Sequence, residues 1–383
     1  MDLTPFKNCL AHTNSIYISN EDEPYKPCCW FKAGIAANTV AEYREKLSGL
    51  DIATNCSHCI KQESSGATWS HRHLFNNPRE FILGICFDNV CNLKCVTCSP
   101  MHSSQLIGEW DALGLYGPDK DKKHFVRIGK QAPKKIDFIT NVLNNTDFDI
   151  LKIEIFGGEP LINPLIFKFI DWVSEQPYAN QTTIHITTNS TTYTDKIDQY
   201  CKKFKLFTLQ LSLDGIENTF EYLRYGTVWN ETVSTIQKYY DLAERQDNFI
   251  LSFNYTLSWM NSMHFVDFYN WAIDNFPKVS LYLTKLEGPD LYNVDILSLE
   301  QREQLLKYTM DKVSTKPKSI SFEKMLDLYK QSMLTKFHDS FDQAKFKRSL
   351  IALKNKDNLR SFDYKVVLKP ILSFIHHDTV RES

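Results

Sequence analysis

No run of about 18 apolar residues occurs in the 383-residue chain, which excludes a membrane-spanning helix. Met1 to Lys7 do not read as a secretory signal, so the expected compartment is the cytoplasm. Neither sign of charge is in excess. A formal net charge of −2 gives no reason to expect a membrane or nucleic-acid partner. Internal repeats and low-complexity segments are also missing, which removes repeat arrays from consideration. What remains is a soluble globular composition, 43% hydrophobic and 23% charged, with material for two or three domain-sized units, or for one large α/β unit with an appendage.

Cysteine, in contrast, is plentiful. Of ten, eight fall in two groups with ligand-like spacing: Cys9, Cys28, Cys29, Cys56 and Cys59, then Cys91, Cys95 and Cys98. Without a secretory signal, metal or cluster ligation is expected over disulfides. Cys86 on an apolar run and Cys201 in a helical stretch read as core thiols.

Residues 1–78 are short of apolar material and loop-rich, the kind of unit that needs a metal or cluster as a staple. From residue 79 to 296 strands and helices alternate. Strands are predicted at 81–87, 151–156, 183–187, 207–213, 249–257 and 279–284. Helices are predicted at 102–114, 133–145, 164–175, 193–203, 230–246 and 262–275. Six such units with right-handed crossovers give an open three-quarter barrel or a wound sheet, with the chemistry on the loops after the strands. Residues 297–383 turn helical, with amphipathic stretches at 298–314 and 322–352 and weaker signals past Asp357. Residues 316–360 carry 11 Lys/Arg against 5 Asp/Glu, which reads as a solvated helix face.

The first predicted strand runs into Cys91-Asn92-Leu93-Lys94-Cys95-Val96-Thr97-Cys98. Three thiolates on one short loop can hold three corners of a [4Fe–4S] cube and leave the fourth iron for a small molecule. On spacing alone a zinc site stands beside that reading. The second strand ends in Gly157-Gly158-Glu159-Pro160, where two glycines permit backbone shapes and close approaches that a Cβ would block.

Taken together, C-x3-C-x2-C after the first strand and Gly-Gly-Glu-Pro after the second resemble the radical S-adenosylmethionine (radical SAM) superfamily, over roughly residues 80–290. The resemblance implies an α/β fold built on a partial (β/α)6 TIM-like barrel. It implies that Cys91, Cys95 and Cys98 bind a [4Fe–4S] cluster whose open iron is chelated by SAM. Reduction would then give methionine and a 5′-deoxyadenosyl radical that abstracts hydrogen from a substrate. Gly157, Gly158 and Glu159 would lie against the methionyl amine. Asn189, in a Thr-Thr-Asn strand end, and Ser212, in Ser-Leu-Asp-Gly, match family segments, with Ser212 near a ribose hydroxyl. Arg224 would pair with the carboxylate of SAM. Thr97 departs from the bulky apolar residue that the family often places there. The electron donor implied is of flavodoxin or ferredoxin type.

The spread Cys9…Cys28-Cys29…Cys56-Ser57-His58-Cys59 resembles the SPASM and twitch modules of the same superfamily, here preceding the barrel. That implies a second, auxiliary [4Fe–4S] cluster on Cys9, Cys28, Cys56 and Cys59, with Cys29 as competitor of Cys28. A zinc ribbon-like site is the alternative. His58 reads as a loop residue. Lys61 to Gly66 and Trp69 to Arg72 are expected to join the module to the barrel. Trp229 and Tyr225 read as substrate mouth or core, and the His376-His377-Asp378 tail as polar and frayed.

The expected whole is a small N-terminal cysteine-rich cluster module (1–78), a radical SAM core (79–296) and a C-terminal helical extension (297–383). The expected substrate is a peptide or protein side chain. The alternatives are modification of a small metabolite or sugar, and, from another class, a zinc-stabilised binding protein. Asp214 and Glu287 are candidate bases, unranked.

Overall fold

The computed structural model describes residues 4–19, 24–64, 70–117, 121–130, 132–316, 319–334 and 341–379; the side chains of residues 5, 132–134 and 376–379 are outside the description, as are Ser65, Gly66 and Trp69 of the expected joint and the His376-His377-Asp378 side chains. The fold is α/β, a mostly parallel sheet of eight strands that curls as a partial barrel and does not close. The strands are β1 (Ser15–Ile18), β2 (Tyr25–Lys26), β3 (Glu80–Ile85), β4 (Ile150–Ile155), β5 (Thr182–Thr188), β6 (Leu206–Ser212), β7 (Phe249–Leu257) and β8 (Ser280–Lys285). Their order is β2-β1-β3-β4-β5-β6-β7-β8. β3 to β8 are the six strands expected from sequence, each parallel to the next.

Alternation sets the two faces. On β4 Leu151, Ile153 and Ile155 are buried while Lys152 and Glu154 are half-buried. On β5 Ile184 and Ile186 are buried between half-buried Thr183, His185 and Thr187. One face is packed by the crossover helices, and the inner face is polar. The interior of a closed (β/α)8 barrel is filled by branched apolar side chains, so a polar inner face marks this one as a space for hydrogen-bonding groups.

The N-terminal 78 residues extend the sheet. β1 lies parallel to β3, with Tyr17 opposite Gly84, and β2 folds back antiparallel. A Cβ on Gly84 would stand 2.1 Å from the Tyr17 ring, so glycine is what lets that ring lie across β3. Neither β1 nor β2 is expected from sequence.

The free side of β8 is covered by the helix Ile320–Leu334, whose Ser321 hydroxyl accepts from Leu281 N–H and donates to its carbonyl (3.3 Å). That satisfies part of an edge that would otherwise invite pairing. The expected 322–352 helix is corrected to two, Ile320–Leu334 and Gln343–Arg360. Asp342 caps the second by accepting from Lys345 N–H at 2.8 Å, and an N-cap starts a helix rather than continuing one.

Candidate active site

The cysteine loop leaves the C-terminal end of β3 and is tied on three sides. Asp88 accepts from Val90 N–H (2.9 Å) and from the Asn163 amide (2.8 Å). Ser103 donates to the Leu93 carbonyl at 2.6 Å. Lys94 and Val96 donate backbone N–H groups to the carbonyls of Tyr225 (2.9 Å) and Leu223 (2.8 Å), at the end of the helix Glu217–Leu223. Behind it, buried Lys135 donates to the carbonyls of Cys86 (2.8 Å) and Phe87 (2.9 Å). Burial draws its pKa down to about 8.

Cys91, Cys95 and Cys98 feel one another's charge. Burial pushes Cys95 up to about 12 and Cys98 to about 11, and Cys91 is raised as well. Such thiols become thiolates only when a metal displaces their protons. Among the described residues no three His, Cys, Asp or Glu side chains close on the position of a single ion.

Glu159, 1% exposed, joins the ends of β4 and β5. Its Oε1 accepts from Thr188 Oγ1 (2.6 Å) and Leu161 N–H (3.0 Å), and its Oε2 from Asn189 N–H (2.6 Å). Its own N–H donates to Val90 in the cysteine loop at 2.7 Å. Burial raises its pKa above 4.5, and the three donors pull it back only in part. The carboxylate is thus a clasp between three strand ends. Gly157 and Gly158 have φ of +78° and +58°, and a Cβ on Gly158 would stand 2.3 Å from the Val90 carbonyl oxygen. The glycines let the turn press against the cysteine loop.

Asn189 is buried with its amide 2.8 Å from Asn92 Oδ1 and 3.9 Å from Cys91 Sγ. Arg224 follows the helix Glu217–Leu223 and is 9% exposed. It pairs with Asp214 at 2.9 Å, while its Nε has no hydrogen-bond partner among the described residues. Burial works to lower its pKa, but Asp214 and then the field of all three cysteines outweigh that and raise it above its ordinary value. Ser212 ends β6, half-buried on the inner face, in register with Asn254. Of the two candidate bases, Asp214 is committed to Arg224 and to Thr256 N–H (3.0 Å), and Glu287 stands 3.6 Å from His58.

Four of the five N-terminal cysteines come together away from this loop. Cys9, Cys28, Cys56 and Cys59 line one small cavity with His12, His58 and Arg72. Cys29 turns away from it, 3.4 Å from His71 Nε2. His58 stacks on Trp30, ring centroids 4.0 Å apart. Burial raises Cys28, and Cys56 to about 12.

Sequence reasoning missed the buried polar groups behind the cysteine loop. Lys135, Glu109, Lys356 and Arg360 are all at most 6% exposed. Arg360 grips Glu109 through two 2.7 Å bonds. It also missed the inner-face row in which Tyr17 donates to Glu154 at 2.6 Å and Lys152 pairs with Glu154 at 2.6 Å. Lys356 and Arg360 have a signal: with Phe346, Ser349 and Leu353 they repeat at helical spacing along one buried stripe. Trp229 is 9% exposed in the core, and Tyr225 donates to the Arg360 carbonyl at 3.0 Å. Cys86 and Cys201 are buried.

No family model matches the chain. It is similar to a GTP 3′,8-cyclase of Desulforamulus reducens, 27% identical over 161 residues, 42% of this chain and 42% of that protein. Among solved structures it is similar to anSMEcpe with bound AdoMet, at 18% identity and TM-score 0.42 over 61% of this chain and 58% of that one. It is also similar to SuiB of Streptococcus suis bound to S-adenosylmethionine, at 15% identity and TM-score 0.37 over 73% and 54%. The chain thus spans about half the length of these relatives. Likeness at this level transfers no residue role.

Proposed function

We propose that the chain is a radical SAM enzyme. Cys91, Cys95 and Cys98 hold a [4Fe–4S] cluster, and Gly157, Gly158, Glu159, Asn189, Ser212 and Arg224 surround SAM. The observation that carries the reading is the set of three thiols, Cys91 buried and Cys95 and Cys98 half-buried, on a loop clamped to the strand ends, beside an arginine whose Nε–H has no partner among the described residues. The donor set suits a cluster: three soft thiols on one short loop, close enough to act on one another's charge, are the ligand type of iron–sulfur centres. The unpartnered Nε–H of Arg224 offers a bond to a carboxylate. Held by these residues, a cluster and SAM would supply reductive S–C5′ bond cleavage as the source of a hydrogen-abstracting radical.

The protein's part is to hold and to exclude. Glu159 fixes the Gly-Gly turn against the cysteine loop, and Asn189 presents its amide toward Cys91. Cys9, Cys28, Cys56 and Cys59 form the auxiliary [4Fe–4S] site, favoured by their common cavity and by Cys29 lying outside it. Four protein ligands close that site to substrate and suit it to electron transfer or structure. The electron donor is a flavodoxin or ferredoxin, and the compartment is the cytoplasm. The substrate is a peptide or protein side chain, a reading that rests on the resemblance and is supported by the polar inner face of β4 to β7. A small metabolite is the second reading, favoured by the sequence match to an enzyme named for GTP.

The test is SAM cleavage. The anaerobically reconstituted chain with a strong reductant should release 5′-deoxyadenosine, and Cys95→Ala should release none. Undiminished product from Cys95→Ala would remove the loop from the chemistry.

A further inference from the structure

A buried cation normally has an anion beside it, and one here does not. Lys356 lies on the helix Gln343–Arg360 and is 4% exposed. Its ammonium donates to the carbonyl of Val96, inside the cysteine loop, at 2.6 Å. The ammonium also lies over the Tyr292 ring, 5.5 Å from its centroid. Among the described residues no carboxylate pairs with it. Glu109 gives both oxygens to Arg360 at 2.7 Å each. Asp214 holds Arg224 at 2.9 Å. Asp357, next in sequence, accepts from the Tyr222 hydroxyl (3.2 Å) and Tyr364 N–H (2.6 Å).

An ammonium buried without a carboxylate paired to it opposes folding, even with a carbonyl to donate to, and proteins rarely keep one without a use. Burial and the like charge of Arg360 lower its pKa to about 8, which leaves it mostly protonated at pH 7. Besides Glu109, the groups whose charge supports it are Cys98 and Cys95. The helix is placed firmly. The Arg360–Glu109 pair, the Asp357 bonds and the Tyr225 bond to the Arg360 carbonyl fix its last turn against the segment that carries the cysteines.

We propose that Lys356 is the built-in counter-charge of the Cys91, Cys95 and Cys98 centre, and that it raises the reduction potential of the cluster held there. The proposal rests on the cluster reading above. A cluster on three thiolates is anionic, and an added electron makes it more so. A fixed cation in a poorly screened interior stabilises the reduced form more than the oxidised one. Arg224 also bears on Cys95 and Cys98, its field partly offset by its ion pair with Asp214, whereas Lys356 has no carboxylate paired with it among the described residues. Lys356 is a positioning and tuning residue, not a ligand.

The experiment has two arms on the full-length chain. In the first, wild type, Lys356→Met and Lys356→Arg are reconstituted anaerobically and titrated potentiometrically at pH 7, with the reduced cluster followed by electron paramagnetic resonance. Lys356→Met should shift the midpoint to more negative potential, and Lys356→Arg, which keeps the charge, should stay near wild type. An unshifted midpoint in an iron-replete Lys356→Met would overturn the proposal. The second arm covers a variant that holds no iron. Without metal the unpaired ammonium is a liability, so metal-free Lys356→Met should unfold at higher urea concentration than metal-free wild type. A lower midpoint would make Lys356 a structural anchor and sink the counter-charge role. A wild-type chain that takes up no iron would instead count against the cluster reading, and the metal-free comparison would still decide what Lys356 does.

Discussion

Replacing Glu159 with glutamine changes one oxygen for an amide group inside a fully used clasp. Three donors converge on the carboxylate: Leu161 N–H and Thr188 Oγ1 on Oε1, Asn189 N–H on Oε2. Glutamine keeps a single oxygen. If that oxygen stays with Leu161 and Thr188, its NH2 faces the Asn189 N–H. If it turns to Asn189, the NH2 faces the Leu161 N–H, although the Thr188 hydroxyl can then accept. In either pose one buried backbone N–H loses its acceptor, which costs about 1–3 kcal/mol. The remaining bonds also weaken from a charged to a neutral acceptor, and relief from burying a charge offsets part of this. The expected net loss is about 1–3 kcal/mol. Urea unfolding of the metal-free chain at pH 7 should show a lower midpoint with an unchanged slope. A Glu159→Gln chain within about 0.5 kcal/mol of wild type, the range of inert substitutions, would refute the clasp.

Further expectations concern the second centre and the inner face. Cys28→Ala should lower the iron content by about four per chain, the content of one cube, whereas Cys29→Ala should leave it unchanged. Equal losses from both would contradict the cavity that holds Cys28 and leaves Cys29 outside. Glu154 is pushed up by burial, but Lys152 and the Tyr17 hydroxyl outweigh that and hold its pKa below 4.5. A carboxylate depressed in the folded state contributes stability above its unfolded pKa, and that contribution disappears as pH falls through the folded value. Stability measured from pH 7 down to pH 3 should therefore fall less steeply in Glu154→Gln than in wild type, and parallel curves would contradict the pairing.

The barrel was legible because β3 to β8 each carry a strand-length apolar or alternating run bounded by turns. β1 and β2 were not, since Ser15–Ile18 is four residues buried on both faces and Tyr25–Lys26 only two. Short strands are fixed by their neighbours, here by the Tyr17 ring crossing Gly84. The cysteines and the Gly-Gly-Glu turn were visible as spacing. The purpose of the glycines was not, because it lies in the approach of the turn to the Val90 carbonyl, a residue far away in sequence. The basic stretch at 316–360 is for the most part the solvated face expected, with Lys316, Lys324, Lys347, Arg348 and Lys354 exposed; what net charge without helical phase hides is the two buried exceptions. Lys356 and Arg360 share the buried stripe of Phe346 and Leu353, and only the fold brings Glu109, about 250 residues earlier, against Arg360.

Anaerobic purification followed by iron, sulfide and zinc analysis tests the central claim most directly. Two cluster centres predict a brown protein with absorbance near ~400 nm and about eight irons per chain. A colourless chain holding stoichiometric zinc at the same cysteines would contradict it.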